Sequence, residues 1–402
     1  MSSRSIKVVV VGVASAGMKA AKAVAALATQ GYPNLSVTTI DKRDSYFHAL
    51  GAPRTLVNQE FGKQLLFPLN NFLDRYNPPN HKNHQFIHAS LTSVNGDQTV
   101  ELSTGQVLPY DYLVLATGSR NQVPAHFEGN TAEEIQAHME EVFANVRAAK
   151  NILIIGGGAV GVEMAGEIAD AYPEKKVTLV HSGNRLLPLR FKESIGQGAM
   201  DKLKRLGVNV VLDEKVNIPP GIPFDCKIRQ LTLRGSSGTE YSSDLQIFSI
   251  GTTLHTEYMQ PLETHLGVSL RDSRGAIKVK PTLQIDSPGL LNVFVPGDVN
   301  DLSLGTKFFL KAKEQGITVG DNLVRMIKYG YDMENSPKQP KLVNYTGGEM
   351  RLFLVPIGKT LGVTQLHDLA LGRSALGNIL VRNIKSKDYF VGKVATEFPA
   401  PK

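Results

Sequence analysis

The chain has 402 residues, of which 42% are hydrophobic and 20% are charged, and its formal net charge is +7. This composition is ordinary for a soluble globular protein of two or three domains, and it excludes an intrinsically disordered chain. No apolar run approaches the roughly 18 residues that a membrane-spanning helix needs. Cys226 is the only cysteine, which excludes an intramolecular disulfide and an electron relay through a pair of cysteines.

The distribution of charged residues and the first residues of the chain indicate which partners and which cellular location to expect. The basic residues are scattered and the chain has no Trp, so we expect no sequence-specific nucleic-acid partner. His81, His84 and His88 have no Cys or carboxylate at metal-ligand spacing, so we expect no metal. A strand begins within a few residues of Met1, too soon for a signal peptide, and we predict a cytoplasmic protein.

The first predicted element is a buried strand, residues 7–11, which runs into a glycine-rich turn at residues 12–17, Gly-Val-Ala-Ser-Ala-Gly. An alanine-rich helix follows, and together they form the strand, turn and helix of a dinucleotide-binding unit. Free backbone N–H groups at the start of that helix would bind a pyrophosphate. The next strand, residues 36–40, ends in Asp41, whose carboxylate would accept hydrogen bonds from the ribose hydroxyls of an adenosine.

The first turn departs from the usual fingerprint because Ala14 replaces its second glycine. The methyl group lies where the backbone should approach the pyrophosphate closely. Overpacking of this size costs roughly 1–3 kcal/mol, which weakens binding about ten- to a hundredfold. The first site therefore either still holds FAD or is weakened or empty.

A second unit begins with the strand at residues 151–155 and has a complete fingerprint at residues 156–161. Its helix carries Glu163 in the first turn. The matching strand, residues 176–180, ends without a carboxylate and has the guanidinium of Arg185 nearby. This end should accept NADPH as well as NADH. A chain that binds two nucleotides is expected to move electrons between them.

Three later strands indicate how the two units are connected. Residues 113–118 form a buried strand that ends in a small-residue turn, and residues 245–252 repeat this pattern. A further strand, residues 292–298, leads to Asp298, and a helix is predicted at residues 308–329. Asp298 thus lies at the carboxyl end of a strand, where ligands of open α/β sheets bind.

These elements predict an α/β fold of two Rossmann-like dinucleotide-binding domains, one inserted in the other, plus a small α+β C-terminal domain. The predicted FAD-binding domain comprises residues 1–119 and 256–335. Residues 120–255 form the predicted NAD(P)H-binding domain, and residues 336–402 form the C-terminal domain.

The order of these features resembles the apoptosis-inducing-factor-like, or ferroptosis suppressor protein, family of flavoproteins with two dinucleotide-binding domains. Type II NADH dehydrogenases are more distant relatives. The resemblance covers nearly the whole chain. Its more specific markers are residues 44–48 with Arg54, residues 172–182 and residues 385–391.

The resemblance implies that FAD binds the first domain, that NADH or NADPH binds the second, and that hydride passes from the nicotinamide to the flavin and then to a quinone. It also implies which positions hold each cofactor. The FAD positions are Gly12, Ala14, Gly17, Asp41, Arg54, Thr117, Gly118 and Asp298. The nicotinamide nucleotide positions are Gly156, Gly158, Gly161 and Glu163, with Arg185 added from the strand end.

Three side chains are candidates for a catalytic role. Glu163 would position the nicotinamide, since it lies near the expected meeting point of the cofactors; alternatively, it only stabilises the helix dipole. Lys307 and His48 would polarise the flavin or donate a proton to a reduced quinone. Each of these two is alternatively an ordinary loop side chain.

Three functions remain open. The first is an FAD-dependent NAD(P)H:quinone oxidoreductase, and the second is a soluble biosynthetic flavin oxidoreductase that acts on another small molecule. The third is a non-catalytic, NAD(P)H-responsive protein with an impaired FAD site. A lipid-soluble quinone would need an apolar entrance and peripheral membrane contact, for which residues 353–355 and 390–391 are candidates unless they pack inward.

Overall fold

The computed structural model describes residues 5–79, 82–303, 308–330, 340–347 and 352–399. The helices in these ranges are α1 (Ser15–Ala25), α2 (Ala52–Thr55), α3 (Gln59–Lys63), α4 (Ala132–Ala148), α5 (Ala159–Ala171), α6 (Glu193–Arg205), α7 (Gln260–Leu266), α8 (Phe309–Tyr329), α9 (Ala375–Val381) and α10 (Val391–Ala395). A π-helical stretch, Arg382–Ser386, continues α9. No helix among the described residues is long and apolar enough to cross a membrane.

The strands in the same ranges are β1 (Ile6–Val11), β2 (Leu35–Asp41), β3 (Ser45–Phe47), β4 (Leu66–Pro68), β5 (His84–His88), β6 (Leu91–Val94), β7 (Thr99–Leu102), β8 (Val107–Pro109), β9 (Tyr112–Leu115), β10 (Arg120–Asn121), β11 (Asn151–Ile155), β12 (Lys176–Val180), β13 (Asn209–Val211), β14 (Leu231–Arg234), β15 (Glu240–Ser243), β16 (Leu245–Phe248), β17 (Thr252–Thr253), β18 (Val293–Phe294), β19 (Leu352–Ile357), β20 (Leu361–Leu366) and β21 (Leu369–Ala370).

The first parallel sheet has the strand order β18-β9-β1-β2-β5. Its central strand β1 is a run of valines, and residues 8–11 are at most 4% exposed, as β-branched residues buried on both faces of a parallel sheet should be. β18 comes late in the chain, yet Val293 lies opposite Leu113 of β9. The late segment therefore completes the first sheet.

The second parallel sheet has the order β13-β12-β11-β16, and all of its strands lie between β9 and β18 in the chain. The predicted α/β class with parallel sheets is confirmed. The domain bounds stay predictions, although the sheet memberships support an inserted second unit. The predicted helix at residues 308–329 is α8, which starts one residue later.

Helices α1 and α8 pack closely because two glycines of α8 face α1. A Cβ atom at Gly316 would collide with the carbonyl oxygen of Ala16, and one at Gly320 would lie 2.7 Å from Cβ of Ala23. Helix α1 begins at the first fingerprint turn. Its contact with α8 therefore helps to hold that turn at the end of β1 in the first parallel sheet.

The C-terminal region packs a three-stranded antiparallel sheet, β19-β20-β21, against α5. A Cβ atom at Gly166 of α5 would lie only 2.7 Å from Cα of Ile357. The candidate membrane surface at residues 353–355 is wrong, because these residues are at most 8% exposed. Val391 is also buried, and Phe390 is partly exposed. Residues 353–355 and Val391 thus pack inward, where their burial stabilises the C-terminal region.

Candidate functional site

The first glycine-rich turn has the backbone geometry of a nucleotide-binding turn. Gly12 has φ +89°, and its N–H donates to the carbonyl oxygen of Ile40 at 2.8 Å. A Cβ atom there would collide with the carbonyl of Ala116, so only glycine fits. A Cβ atom at Gly17 would likewise collide with the carbonyl oxygen of Gly12. The helix α1 therefore starts directly above the end of β1.

Ala14 is the N-cap residue of α1, with an extended backbone conformation at φ −86° and ψ −162°, and its side chain is exposed. Gly158 holds the same place before α5, and a Cβ atom at Gly158 would meet no protein atom within 4 Å. The protein thus accommodates a methyl group at this position. Any cost of Ala14 falls on the approach of a ligand, not on folding.

Asp41 anchors the first turn from the neighbouring strand. Its Oδ2 accepts the N–H of Val13 at 2.7 Å, and its Oδ1 accepts the N–H of Arg43 at 3.0 Å. Desolvation raises the pKa of the Asp41 carboxyl group, and the two backbone donors oppose that rise. The carboxylate lies at the carboxyl end of β2, where an adenosine ribose binds in this kind of fold.

Asp298 and the turn after β9 meet at the same end of the first sheet. The hydroxyl of Ser119 donates to Oδ2 of Asp298 at 2.8 Å, and the hydroxyls of Thr117 and Tyr258 lie 2.8 Å apart. Gly118 adopts φ +68°. The structure therefore places Thr117, Gly118 and Asp298 near one another at this end of the sheet.

A cavity of about 660 Å³ opens between the two units. Its wall from the first unit includes Asp298 and Asn300, and its wall from the second includes Gly158, Val160 and the segment after β16. Phe308, Phe248 and Met164 contribute apolar surface. Residues that follow β18 of the first sheet and β11 and β16 of the second sheet thus line one shared space. The turn at residues 12–17, Asp41, Thr117 and Gly118 are not part of its wall.

The second turn repeats the geometry of the first. Gly156 has φ +116°, and its N–H donates to the carbonyl of Val180 at 2.9 Å. Gly161 approaches the carbonyl of Gly156 as Gly17 approaches that of Gly12. The guanidinium of Arg185 donates to the carbonyl of Phe191 at 3.0 Å and to that of Leu189. The guanidinium of Arg185 therefore stabilises the loop that contains it.

Glu163 is buried and forms an ion pair that sequence reasoning missed. Its side chain accepts a hydrogen bond from Nζ of Lys385 at 2.6 Å, and the residue is 4% exposed. Burial raises the pKa of the Glu163 carboxyl group, and the ammonium of Lys385 opposes the rise. Val160 and Met164, on the same helix, line the cavity, so the ion pair lies beneath the cavity wall.

Arg54 lies in a second buried ion pair on the same helix. Its Nη2 donates to Oε1 of Glu167 at 2.8 Å, and the hydroxyl of Tyr389 donates to the same oxygen at 2.8 Å. The guanidinium carbon is 4.7 Å from the centre of the Tyr389 ring. Arg54 thus connects α2, α5 and the C-terminal region, and among the described residues it is not part of the cavity wall.

The sequence carried one signal for these pairs. Glu163 and Glu167 lie one turn apart on a helix whose other residues are mostly apolar, and two buried carboxylates need cationic partners. Their partners could not be identified because Lys385 lies 222 residues from Glu163 and Arg54 lies 113 residues from Glu167.

His48 is fully buried, with both ring nitrogens engaged. Nε2 donates to the carbonyl of Tyr389 at 2.7 Å, and Nδ1 accepts from the hydroxyl of Tyr46 at 3.3 Å. This geometry gives His48 a packing role and does not support proton donation to a quinone. Lys307 lies outside the described residues. The described residues contain no group of three or more His, Cys, Asp and Glu that could hold a metal ion.

Comparisons with known proteins agree with this geometry. The pyridine nucleotide-disulphide oxidoreductase family matches residues 6–316. Ferroptosis suppressor protein 1 of Homo sapiens is 31% identical over 395 residues, covering 97% of this chain and 95% of that protein. Apoptosis-inducing factor homolog A of Dictyostelium discoideum is 28% identical over 390 residues, covering 92% of this chain and 87% of that protein.

A solved structure of similar fold is that of NDH2 from Plasmodium falciparum in complex with NADH, with a TM-score of 0.71 at 14% identity, covering 99% of this chain and 100% of that one. The cofactors of this chain are FAD and NADH or NADPH, and FAD supplies two-electron redox chemistry when bound. The chain is an NAD(P)H-dependent flavin oxidoreductase that belongs to the pyridine nucleotide-disulphide oxidoreductase family, within its apoptosis-inducing-factor-like group.

Proposed function

We propose that the protein is an NAD(P)H:quinone oxidoreductase. The balanced reaction converts NAD(P)H, one proton and a quinone to NAD(P)⁺ and a quinol. The observation that carries the proposal is the shared cavity, since residues that follow strands of both parallel sheets line it. A hydride donor bound to one unit and a flavin bound to the other would thus meet without a large domain movement.

The acceptor is not reached through protein thiols. Cys226 is the only cysteine and is 2% exposed, and burial raises the pKa of its thiol to about 12. A relay needs two thiols and a thiolate nucleophile. Electrons would therefore pass directly from the flavin to a small acceptor. A quinone fits this role because it takes up both electrons and becomes a quinol.

The cofactor contacts follow from the geometry of the two turns. We assign the FAD pyrophosphate to the turn at residues 12–17 and its ribose to Asp41, with Asp298 and the turn at Thr117 beside the flavin. The nicotinamide nucleotide would lie on the turn at residues 156–161. Arg54 and Arg185 would only stabilise the protein around the cofactors, since their guanidinium groups donate hydrogen bonds to protein acceptors.

Glu163 would act as a positioning residue. In the structure Glu163 lies in the second turn of α5, not in the first turn as predicted from the sequence. Its ion pair with Lys385 would fix this part of the helix between Val160 and Met164 of the cavity wall. A fixed turn holds the nicotinamide at a constant distance from the flavin, which matters because small misplacements reduce the rate of hydride transfer strongly.

Steady-state NADH oxidation with and without a short-chain ubiquinone tests the proposal. We expect oxidation to rise with quinone concentration and to form quinol in equal amount. Cys226→Ser is the matched control and should keep this rate. NADH oxidation that responds to no quinone but to another small molecule would favour a biosynthetic oxidoreductase, and purified protein that binds NADH without flavin would favour a non-catalytic role.

A further inference from the structure

We propose that His181 is the residue that decides how this protein discriminates NADPH from NADH, because it stands in the second nucleotide site where the first site has the carboxylate of Asp41. The inference assumes that the nicotinamide nucleotide binds the second unit, as in the proposed function. It does not depend on the identity of the electron acceptor.

The registers of the two sheets place His181 where Asp41 stands in the first unit. In the first unit Val11 lies opposite Ile40, and the next residue of that strand is Asp41. In the second unit Ile155 lies opposite Val180, and the next residue is His181. The two positions are equivalent, and this is where a carboxylate selects the free 2′-hydroxyl of NADH over the 2′-phosphate of NADPH.

The two side chains also make the same hydrogen bond. Oδ2 of Asp41 accepts the N–H of Val13 at 2.7 Å, the residue after the first glycine of its turn. Nδ1 of His181 accepts the N–H of Gly157 at 3.2 Å, the residue after Gly156. Because Nδ1 is the acceptor, this bond assigns the ring proton to Nε2. His181 thus presents a donor where Asp41 presents only acceptors.

Glycines make room for the ring on both sides. A Cβ atom at Gly157 would lie 2.8 Å from Cγ of His181, and one at Gly183 would lie 3.0 Å from its Nε2. Glycine at these two places lets the imidazole lie against the turn while it stays partly exposed. The Nε2 donor is then available to an oxygen of a 2′-hydroxyl or a 2′-phosphate.

Few charged groups surround the ring. Asp213, after β13, is the charged group that acts on it, while the backbone N–H of Glu214 donates to the carbonyl of His181. The guanidinium of Arg185 is occupied by carbonyl groups of its own loop. Desolvation lowers the pKa of the His181 imidazole although Asp213 opposes this. A neutral ring that donates from Nε2 can therefore accept either nucleotide.

Calorimetric binding of two fragments to the full-length flavoprotein tests this role without turnover. The probes are adenosine 2′,5′-bisphosphate, which carries the 2′-phosphate, and ADP, which lacks it. We expect the unaltered protein to bind both within about tenfold of each other near neutral pH.

His181→Asp should weaken the bisphosphate at least about tenfold and leave ADP within about threefold, because a carboxylate repels the 2′-phosphate. His181→Gln keeps a neutral side chain, so it should keep both affinities. Flavin absorbance and melting temperature confirm that each variant is folded.

Asn184→Asp adds the same charge to the same loop and is the matched control, with little expected effect. Equal losses in the two Asp variants, or an unchanged bisphosphate affinity in His181→Asp, would overturn the role of His181. If the binding results are as expected but the protein does not reduce quinone, only the proposal of a quinone acceptor is overturned. Absence of binding of both fragments to the unaltered protein would overturn the second-unit site itself.

Discussion

At the scale of single residues, the two carboxylates on α5 are the most constrained groups of the site. Glu163 pairs with Lys385 and Glu167 pairs with Arg54, and both carboxylates are at most 4% exposed. A buried ion pair adds little net stability, but loss of one partner leaves an uncompensated charge. The pairs therefore fix the arrangement of α5 and the C-terminal region more than they stabilise the fold.

Lys385→Met should destabilise the protein by about 3–5 kcal/mol, because Glu163 would remain buried without its cation. Adding Glu163→Gln should restore part of this loss, since the amide carries no charge. Lys387→Met, at an exposed position, is the control. Denaturant unfolding followed by flavin fluorescence measures all three, and equal stability of the two single Met variants would contradict a buried ion pair.

Ala14→Gly should tighten FAD binding about ten- to a hundredfold, because it removes a methyl group from the approach of the pyrophosphate without altering the turn. The reciprocal change, Gly158→Ala, should weaken NADH binding by a similar factor. Neither should change the melting temperature of the flavin-free protein, since both positions have room for a methyl group. Dissociation constants from fluorescence titration check this, and an unchanged FAD affinity would show that Ala14 does not contact the cofactor.

His126 predicts a pH dependence of stability. Desolvation and the neighbouring Arg43 lower the pKa of its imidazole to about 2, and Nη2 of Arg43 lies 2.9 Å from its Nε2. Below about pH 6.5 the unfolded chain takes up a proton that the folded protein does not. The stability present above that pH is thus lost as the pH falls, with a slope of up to about 1.4 kcal/mol per pH unit.

His126→Gln should reduce the slope by up to about 1.4 kcal/mol per pH unit, because glutamine does not titrate and its carbonyl can still accept from Arg43. His367→Asn, at an exposed turn, should keep it. Unfolding free energies at about pH 7 and about pH 5 compare the variants. A slope as steep in His126→Gln as in the unaltered protein would assign the effect to another group.

At the scale of elements, the contact of α1 with α8 controls the position of the first nucleotide turn. Gly316→Ala should destabilise the protein by about 1–3 kcal/mol or more, because the added Cβ collides with backbone and the helices must separate. The affinity for FAD should fall as well, because α1 begins at the turn assigned to the FAD pyrophosphate. Gly289→Ala, where a Cβ atom meets nothing within 4 Å, should change neither quantity, and tolerance of Gly316→Ala would contradict the close packing.

The elements near the turns could be predicted from sequence, and the reason is local. A run of valines followed by a turn that needs Gly12 at positive φ specifies a strand and a turn without distant information. The same holds for β11 and for α8. The positions of Asp41, the last residue of β2, and of Asp298, four residues after β18, could be predicted because each is tied to the carboxyl end of such a strand.

The rest of the site could not be predicted because it depends on contacts between distant segments. Lys385 lies in a sequence marker, but only the fold brings it to Glu163. His48 resembled a loop histidine until its two partners were known. Residues 353–355 looked like a membrane surface because an apolar segment has the same composition whether it faces lipid or α5.

At the scale of the whole molecule, the last described residues bind back to the first unit. The side chain of Glu397 accepts hydrogen bonds from Lys19 and Lys22 of α1, and the ring of Phe398 stacks on Phe67 at a centroid distance of 4.9 Å. The C-terminal region therefore contacts both nucleotide units, since Glu397 binds α1 and Lys385 binds Glu163 of α5. We expect these contacts to hold the two units in one arrangement, as direct transfer between two bound nucleotides requires.

An anaerobic absorbance spectrum, recorded before and after one equivalent of NADH and then after a short-chain quinone, tests the central claim most directly. We predict that the purified protein shows flavin absorbance, that NADH bleaches it, and that the quinone restores it. Flavin absorbance that NADH leaves unchanged would contradict hydride transfer between the two units, and bleached flavin that no quinone reoxidises would contradict the proposed acceptor.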